Sequence, residues 1–316
     1  LTPFSYILYF VTLLERFRNR DERALARAIS LLEAGTSEGQ VLLQQLRKEA
    51  GKARIIGVTG SPGSGKSTLT DKLIKVARAK GRRVAVIAVD PTSPFSGGAI
   101  LGDRIRMIQH HQDEGVFIRS MATRGQLGGL AATTLQALVL LDAYGFDDIF
   151  IETVGVGQSE IDIVKVADTT VLVLTPGQGD SVQAFKAGIM EIADVFVINK
   201  ADLPGASRLK REIQAALELG HKNTELPDIL ETIASEAKGV EELYEAIQIH
   251  HETLKSSGKL TNLYKQRTRF EITSLLTEQL RFALQDSQDA LIDKILKGEL
   301  TSHQALRELL EMGSIR

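Results

Sequence analysis

Short apolar runs separated by helical stretches set the pattern of the middle of this chain. "RIIGVTG" (54–60) is an apolar run that stops at glycine, as a buried parallel strand does. "RRVAVIAVD" (82–90), "GVFIRS" (115–120), "DDIFIET" (147–153), "TTVLVLTP" (169–176) and "DVFVINK" (194–200) repeat the theme. "ILETIA" (229–234) reads as one more edge strand. Helical stretches lie between them: "KSTLTDKLIKVARAKG", closed by Gly81, then 126–144 and 181–193. Strands alternating with helices predict right-handed βαβ units, hence an α/β fold with a mostly parallel sheet and helices on both faces.

The flanks read as helix only. "LLERFRNRDERALARAISLLEAG" carries Leu, Ala, Arg and Glu at helical spacing and stops at Gly35. "TSEGQVLLQQLRKEAG" gives a second helix ending near Gly51. Beyond Val240 the pattern predicts helices over "GVEELYEAIQIHHETLKSSG", 260–286, 287–298 and 301–312. Three parts follow: an N-terminal helical extension (1–51), a nucleotide domain (52–254) and a C-terminal helical arm (255–316). The arm either forms an oligomer contact or packs on its own domain.

Composition narrows the picture. The 316 residues, 43% of them hydrophobic, suffice for one large α/β core plus helical additions. A formal net charge of −2 argues against a nucleic-acid binder, which would carry a basic excess. With no cysteine, disulfides, thiolate metal sites and cysteine nucleophiles are excluded. Residues 2–14 (TPFSYILYFVTLL) are uncharged but too short for a bilayer span, which takes about 20 apolar residues. They lack the basic start and small-residue cleavage site of a signal peptide, and read as a helix packed on the domain or a partner. No transit peptide pattern is present, which points to a prokaryotic cytoplasm. His110-His111 and His250-His251 show no ligand spacing and read as surface residues.

The chemistry begins at Gly60-Ser61-Pro62-Gly63-Ser64-Gly65-Lys66-Ser67, with Thr68 following into the helix. It fits G-x-x-x-x-G-K-[ST] without mismatch, between a predicted strand and a predicted helix. Gly60, Gly63 and Gly65 let backbone N–H groups turn toward phosphate oxygens, and the helix adds its N-terminal dipole. Lys66 reaches the β- and γ-phosphates, and Ser67 offers a hydroxyl to Mg²⁺. The fold class is therefore a P-loop NTPase.

"VFVINKAD" supplies Asn199, Lys200 and Asp202 at the end of a buried strand. An aspartate there accepts two hydrogen bonds from guanine N1 and N2, a donor pair that adenine lacks. Asn199 and the Lys200 stem brace the loop and cover the ring, so GTP is expected over ATP. "ETIASEAKG" (231–239) falls where a backbone N–H meets guanine O6, with Ala234 the expected donor.

"DDIFIETVGVGQSE" places Glu152 at a strand end as a Mg²⁺ ligand, direct or through water, and Gly155 three residues on as a γ-phosphate sensor. Asp90, ending "AVIAVD", and Asp103, in "GAILGDRIRM", are further metal candidates. Asp103 also suits a helix N-cap, and both roles can hold in different nucleotide states. Arg104 and Arg106 follow; an arginine there stabilises transition-state charge when it faces phosphate, and is a solvated surface residue otherwise. The catalytic set is then Lys66, Asp103, Arg106 and Glu152. "PTSPFSGGAILG" and "MATRGQLGGLAATT" are Gly-rich loops of the kind that respond to a γ-phosphate.

Together, GSPGSGKST, VDPTSPFSGGAILGDRIRM, TRGQLGG, ETVGVGQSE and NKAD resemble the MeaB/ArgK group of GTPases, once labelled LAO/AO transport ATPases. The resemblance runs from about Leu13 to the C-terminus. It implies a homodimeric GTPase metallochaperone for an adenosylcobalamin-dependent acyl-CoA mutase, chiefly methylmalonyl-CoA mutase. Such a protein gates cofactor loading, protects the mutase, and hydrolyses GTP slowly alone and faster with it. By motif match it makes Lys66, Ser67, Asp90, Asp103 and Glu152 the phosphate and magnesium set. It makes "GQGDSVQAFKAG" (177–188) a partner-responsive switch, with Gln183 and Lys186 as transmitters. Two other functions compete. A GTPase metallochaperone for a metal such as nickel is disfavoured by zero cysteine and no His-rich tract. An ATPase or kinase serving amino-acid transport is disfavoured by the guanine motif.

Overall fold

The computed structural model describes residues 3–90, 110, 112–122, 132–153, 162–177, 193–220 and 226–311. For 3–10, 90, 122, 220, 280–289 and 309–311 it describes the backbone alone. Seven strands form one all-parallel sheet: β1 (Arg54–Thr59), β2 (Val84–Asp90), β3 (Val116–Ala122), β4 (Asp148–Thr153), β5 (Thr169–Leu174), β6 (Val195–Asn199) and β7 (Asp228–Thr232). Their order is β3-β2-β4-β1-β5-β6-β7, so each predicted run became a strand, "ILETIA" at the edge included. β1, β4, β5 and β6 are buried along their whole lengths, which is why they read as unbroken apolar runs.

Side chains alternate across the sheet. Ile56, Val58, Phe150, Val171, Val173, Val195 and Val197 pack on Leu69 and Leu73 of α4 (Lys66–Ala79) and on Leu243 and Ile247 of α7 (Val240–Ser256). Leu172, Leu174, Phe196 and Ile198 point the other way, onto Ile213 and Leu217 of α6 (Ala206–Gly220). Burying each such side chain contributes about 1.5–3 kcal/mol.

Three helices precede the sheet: α1 (Pro3–Arg18), α2 (Glu22–Glu33) and α3 (Ser37–Leu46). Asp21 caps α2, accepting from Arg23 N (2.9 Å), and Thr36 caps α3, accepting from Gly39 N (3.2 Å). α2 and α3 pack on α5 (Ala132–Tyr144), which packs on β4. Asp142 of α5 then accepts the N–H groups of Gly51 (2.6 Å), Lys52 (3.0 Å) and Ala53 (3.0 Å), fixing the entry to β1. α3 ends at Leu46, five residues before the predicted stop at Gly51.

The chain divides into two compact units at residues 267/268. In the second unit Leu291 and Ala305 are buried, with Ile295 and Leu300 packed against them. Thr301 and Gln304 cap α9 (Ser302–Glu311) reciprocally: Gln304 N donates to Thr301 Oγ1 (3.3 Å) and Thr301 N to Gln304 Oε1 (2.8 Å). One expectation fails here. The predicted break at 286/287 is absent, and α8 runs unbroken as Lys259–Leu296. Asp286-Ser287 is a capping pair in sequence, but no glycine or proline lies nearby to stop the helix, and the flanking Leu, Ala and Gln favour its continuation.

Candidate active site

β1 sits centrally, and the chain leaves its C-terminal end through a tight loop into α4. That is the end of a parallel sheet where ligands bind. Gly60 has φ 141°, and a Cβ there would lie 2.1 Å from the Val173 carbonyl oxygen, so only glycine passes β5 so closely. Gly65 has φ 92° and caps α4 without a side chain; a Cβ would sit 2.4 Å from Asn199 Nδ2. Ser61 is half-buried, Pro62 and Gly63 form the exposed crown, and Thr68 is exposed on the first turn of α4. Lys66 is buried at 6% exposure and folds back over the loop, donating to Gly60 O (2.7 Å) and Ser61 O (3.1 Å). A lysine held there lies where a polyphosphate would meet the helix N-terminus.

Ser67 and Glu152 meet beside it: the serine hydroxyl donates to Glu152 Oε1, and both residues are buried. Glu152 pairs in register with Val58 of β1, two residues before Gly60. The same rung reaches Ala88 of β2, so the β2 backbone ends at Asp90, two residues further along. Two hard oxygen donors on adjoining elements at the phosphate end suit a magnesium ion. Among the described residues no cluster of three His, Cys, Asp or Glu completes a metal site. The Asp90 side chain, Asp103, Arg106, Gly155, Gln183 and Lys186 lie outside the described residues.

The guanine motif stands against the same loop. Asn199 ends β6, is buried, and donates through Nδ2 to Ser64 O (2.8 Å). Its Oδ1 accepts from Thr232 Oγ1 (3.1 Å) and Ala234 N (3.1 Å). Asn199 therefore bolts together the phosphate loop, the end of β7 and the turn after it, and the Ala234 N–H is engaged there. Lys200 takes φ 56°, rare for a residue with a side chain, and its Nζ donates to Gly63 O (2.9 Å). Asp202 is exposed beyond this brace. Lys238 lies close: bonding to Glu236 first, and the field of Asp202 as well, raise its pKa. Thr232 had no sequence signal, since it reads as the last residue of a strand.

The histidines depart from expectation. His110 is 6% exposed, with Nε2 2.7 Å from Asp71 Oδ1 of α4. His251 is largely buried near Asp168, and burial lowers its pKa. His250 Nδ1 lies 2.9 Å from Thr169 Oγ1. A histidine in a polar helical stretch reads as solvated, but here carboxylates remote in sequence lie against all three: Asp71 at His110, Asp194 3.4 Å from His250 Nε2, and Asp168 3.8 Å from His251 Nδ1. His111 lies outside the described residues.

Comparison with known proteins decides the family. Residues 25–289 match the family described as Methylmalonyl Co-A mutase-associated GTPase MeaB. This chain belongs to the MeaB family. A putative GTPase of Pyrococcus horikoshii is 51% identical over 95% of this chain and 96% of its own length. The mitochondrial methylmalonic aciduria type A homolog of Mus musculus is 34% identical over 91% of this chain and 75% of its own. A solved LAO/AO transport system kinase superposes with TM-score 0.71 at 26% identity, covering 96% of this chain and 97% of that one. The MeaB-family protein is thus a GTPase on a P-loop fold, and the predicted fold class and resemblance both hold.

Proposed function

We propose that this MeaB-family protein is a GTP-driven metallochaperone that gates adenosylcobalamin loading onto, and protects, an acyl-CoA mutase of the methylmalonyl-CoA type. The family match over 25–289, whose description names the mutase, carries the reading. We also assign it a homodimeric state, through the arm at 255–316, and a cytoplasmic location. No described helix is long and apolar enough to cross a membrane.

In this reading Lys66 and the loop N–H groups of residues 60–68 hold the phosphates, and Ser67 and Glu152 hold Mg²⁺ with Asp90 and Asp103. Bound there, the ion neutralises charge on the β- and γ-phosphates. Catalysis is then mostly positioning and charge neutralisation, with Arg106 adding to it and Gly155 reporting the γ-phosphate. Gln183 and Lys186 pass that report to the mutase. A rate set by positioning is slow alone and rises when a partner completes the site.

Asp202 reads the guanine edge, with Asn199, Lys200 and Ala234 shaping its pocket. Asp202→Asn should weaken GTP and GDP binding by about 1.5–3 kcal/mol, roughly 10- to 100-fold, for the charge-assisted bonds lost. Competition against a fluorescent guanine nucleotide measures this, and unaltered affinity would place the base elsewhere.

A kinase role in transport is suggested only by the printed name of the solved neighbour. The test that separates the two is GTP turnover by the purified protein, alone and with a B12-dependent methylmalonyl-CoA mutase, with ATP as control. A slow GTP rate raised by the mutase is expected. A rate indifferent to the mutase sinks the chaperone assignment for that client, and a preference for ATP sinks the guanine assignment with it.

A further inference from the structure

At the end of the sheet opposite the phosphate loop, two adjoining hollows of about 440 and 730 Å³ share Arg20, Tyr144 and Phe146. Both fall in the size range of small-molecule sites. Arg83 immediately precedes β2 and Asp147 immediately precedes β4, so the hollows open beside the strand starts. The phosphate loop leaves the other end of the parallel strands, about 20 Å away at about 3.3 Å per residue. A ligand in these hollows is therefore separate from the nucleotide.

Two guanidinium groups meet between the hollows. A Cβ on Gly145 would lie 3.3 Å from Arg20 Nη2 and 3.6 Å from Arg83 Nη1, so both cations stand within 4 Å of one point. Arg83 has a structural role. Its Nη1 donates to Tyr144 O (3.3 Å) and Gly145 O (3.1 Å), closing the C-terminal end of α5. Its guanidinium lies 5.2 Å and 4.9 Å from the ring centroids of Tyr144 and Phe146. Burial first, and then the like charge of Arg20, lowers its pKa. Arg20 has no such role. It takes φ 61° in the turn after α1, a conformation in which glycine or asparagine is the usual occupant. Its side chain makes no hydrogen bond or ion pair among the described residues. A backbone of rare conformation thus holds one cation against another, and an anion between them would relieve the repulsion.

The acids around the cleft leave one side of it positive. In the larger hollow Glu49 pairs with Arg18 (2.7 Å), Asp142 accepts three backbone N–H groups, and Asp147 accepts Arg83 N (2.7 Å). Lys48 and Lys52 line the same hollow without an ion pair among the described residues. The exposed Glu22 and Glu114 rim the smaller hollow. An anion is therefore drawn between the arginines from the lysine side and repelled at the glutamate side. Guanidinium groups bind phosphate or carboxylate through paired N–H bonds. Arg20, Arg83, Lys48 and Lys52 together offer more positive charge than one carboxylate would neutralise.

We propose that this cleft is a second anion site, taking the diphosphate group of a small soluble ligand: one phosphoryl group between Arg20 and Arg83, the next toward Lys48 and Lys52.

Pyrophosphate is the probe, titrated calorimetrically into the full-length protein saturated with GDP so that the phosphate loop is filled. One saturable site is expected, about 10-fold or more tighter for pyrophosphate than for succinate at equal ionic strength. Arg20→Asn tolerates the left-handed backbone and removes the cation. It should weaken pyrophosphate about 10-fold or more, the loss of charge-assisted bonds, and leave GDP affinity at the wild-type value. Lys48→Gln combined with Lys52→Gln should also weaken it, and added salt should lower the wild-type affinity. No saturable binding once GDP is bound overturns the proposal. So does equal affinity for succinate, or full pyrophosphate affinity in either variant.

Discussion

Lys66→Ala should leave the protein folded and almost without GTPase activity. The lysine is held over the phosphate loop by Gly60 O (2.7 Å) and Ser61 O (3.1 Å), at the start of α4, in a buried setting. Water does not screen a charge there as it does at the surface, so its effect on a polyphosphate is large. Removing one preorganised electrostatic contact of this kind costs about 10²–10³ in kcat. Ground-state binding should also weaken, more for GTP than for GDP, because the γ-phosphate adds charge that the lysine no longer meets. Single-turnover hydrolysis and competitive binding of both nucleotides measure the two effects separately. Turnover equal to wild type would refute the assignment of this loop as the phosphate cradle. Equal losses for GTP and GDP would move the lysine's contact away from the γ-phosphate.

The phosphate loop and the guanine brace were legible in the sequence because each is a local string. Residues 60–67 need glycine at set positions for backbone reasons, and Asn199, Lys200 and Asp202 follow one strand. The sheet was legible because a strand buried on both faces must be apolar throughout, as in Ile149–Ile151 and Val195–Ile198. What stayed hidden depends on contacts distant in sequence. Asn199 reaches Ser64 and Thr232, 135 and 33 residues away. His110 reads as a solvated residue until Asp71, 39 residues earlier, is folded against it. The unbroken α8 was missed for another reason: Asp286-Ser287 looks like a cap, yet a cap forms only where the preceding helix stops. The charges at the strand starts were hidden too. In "RIIGVT" and "DIFIET" an initial Arg or Asp reads as a polar boundary, whereas Arg54 and Asp148 are among the buried residues.

That buried pair should govern stability rather than activity. Asp148 begins β4 at 0% exposure and accepts from Arg54 Nε (2.6 Å), Arg82 Nε (2.8 Å) and Tyr244 Oη (2.6 Å). Arg54 Nη2 also donates to Tyr244 Oη (2.6 Å), and its guanidinium lies 5.1 Å from the ring centroid. One carboxylate thus joins the starts of β1 and β4, the approach to β2, and α7, at the end of the sheet away from the phosphate loop. Asp148→Ala leaves Arg54 buried without its counter-charge and should cost about 3–5 kcal/mol of stability. GTP turnover by the folded fraction should stay near wild type. The effect must depend on pH. Burial pushes the Asp148 pKa up, but bonds from Arg54 and Arg82 dominate and hold it below its ordinary value. A carboxylate depressed in the folded state contributes stability that is present above its unfolded pKa of about 3.9 and is lost as pH falls toward the folded value. Urea unfolding at pH 7 should therefore separate wild type from Asp148→Ala widely, and the gap should narrow as the solution is acidified below pH of about 4. A gap under about 1 kcal/mol at pH 7, the size of an exposed ion pair, would mean that water reaches this carboxylate after all.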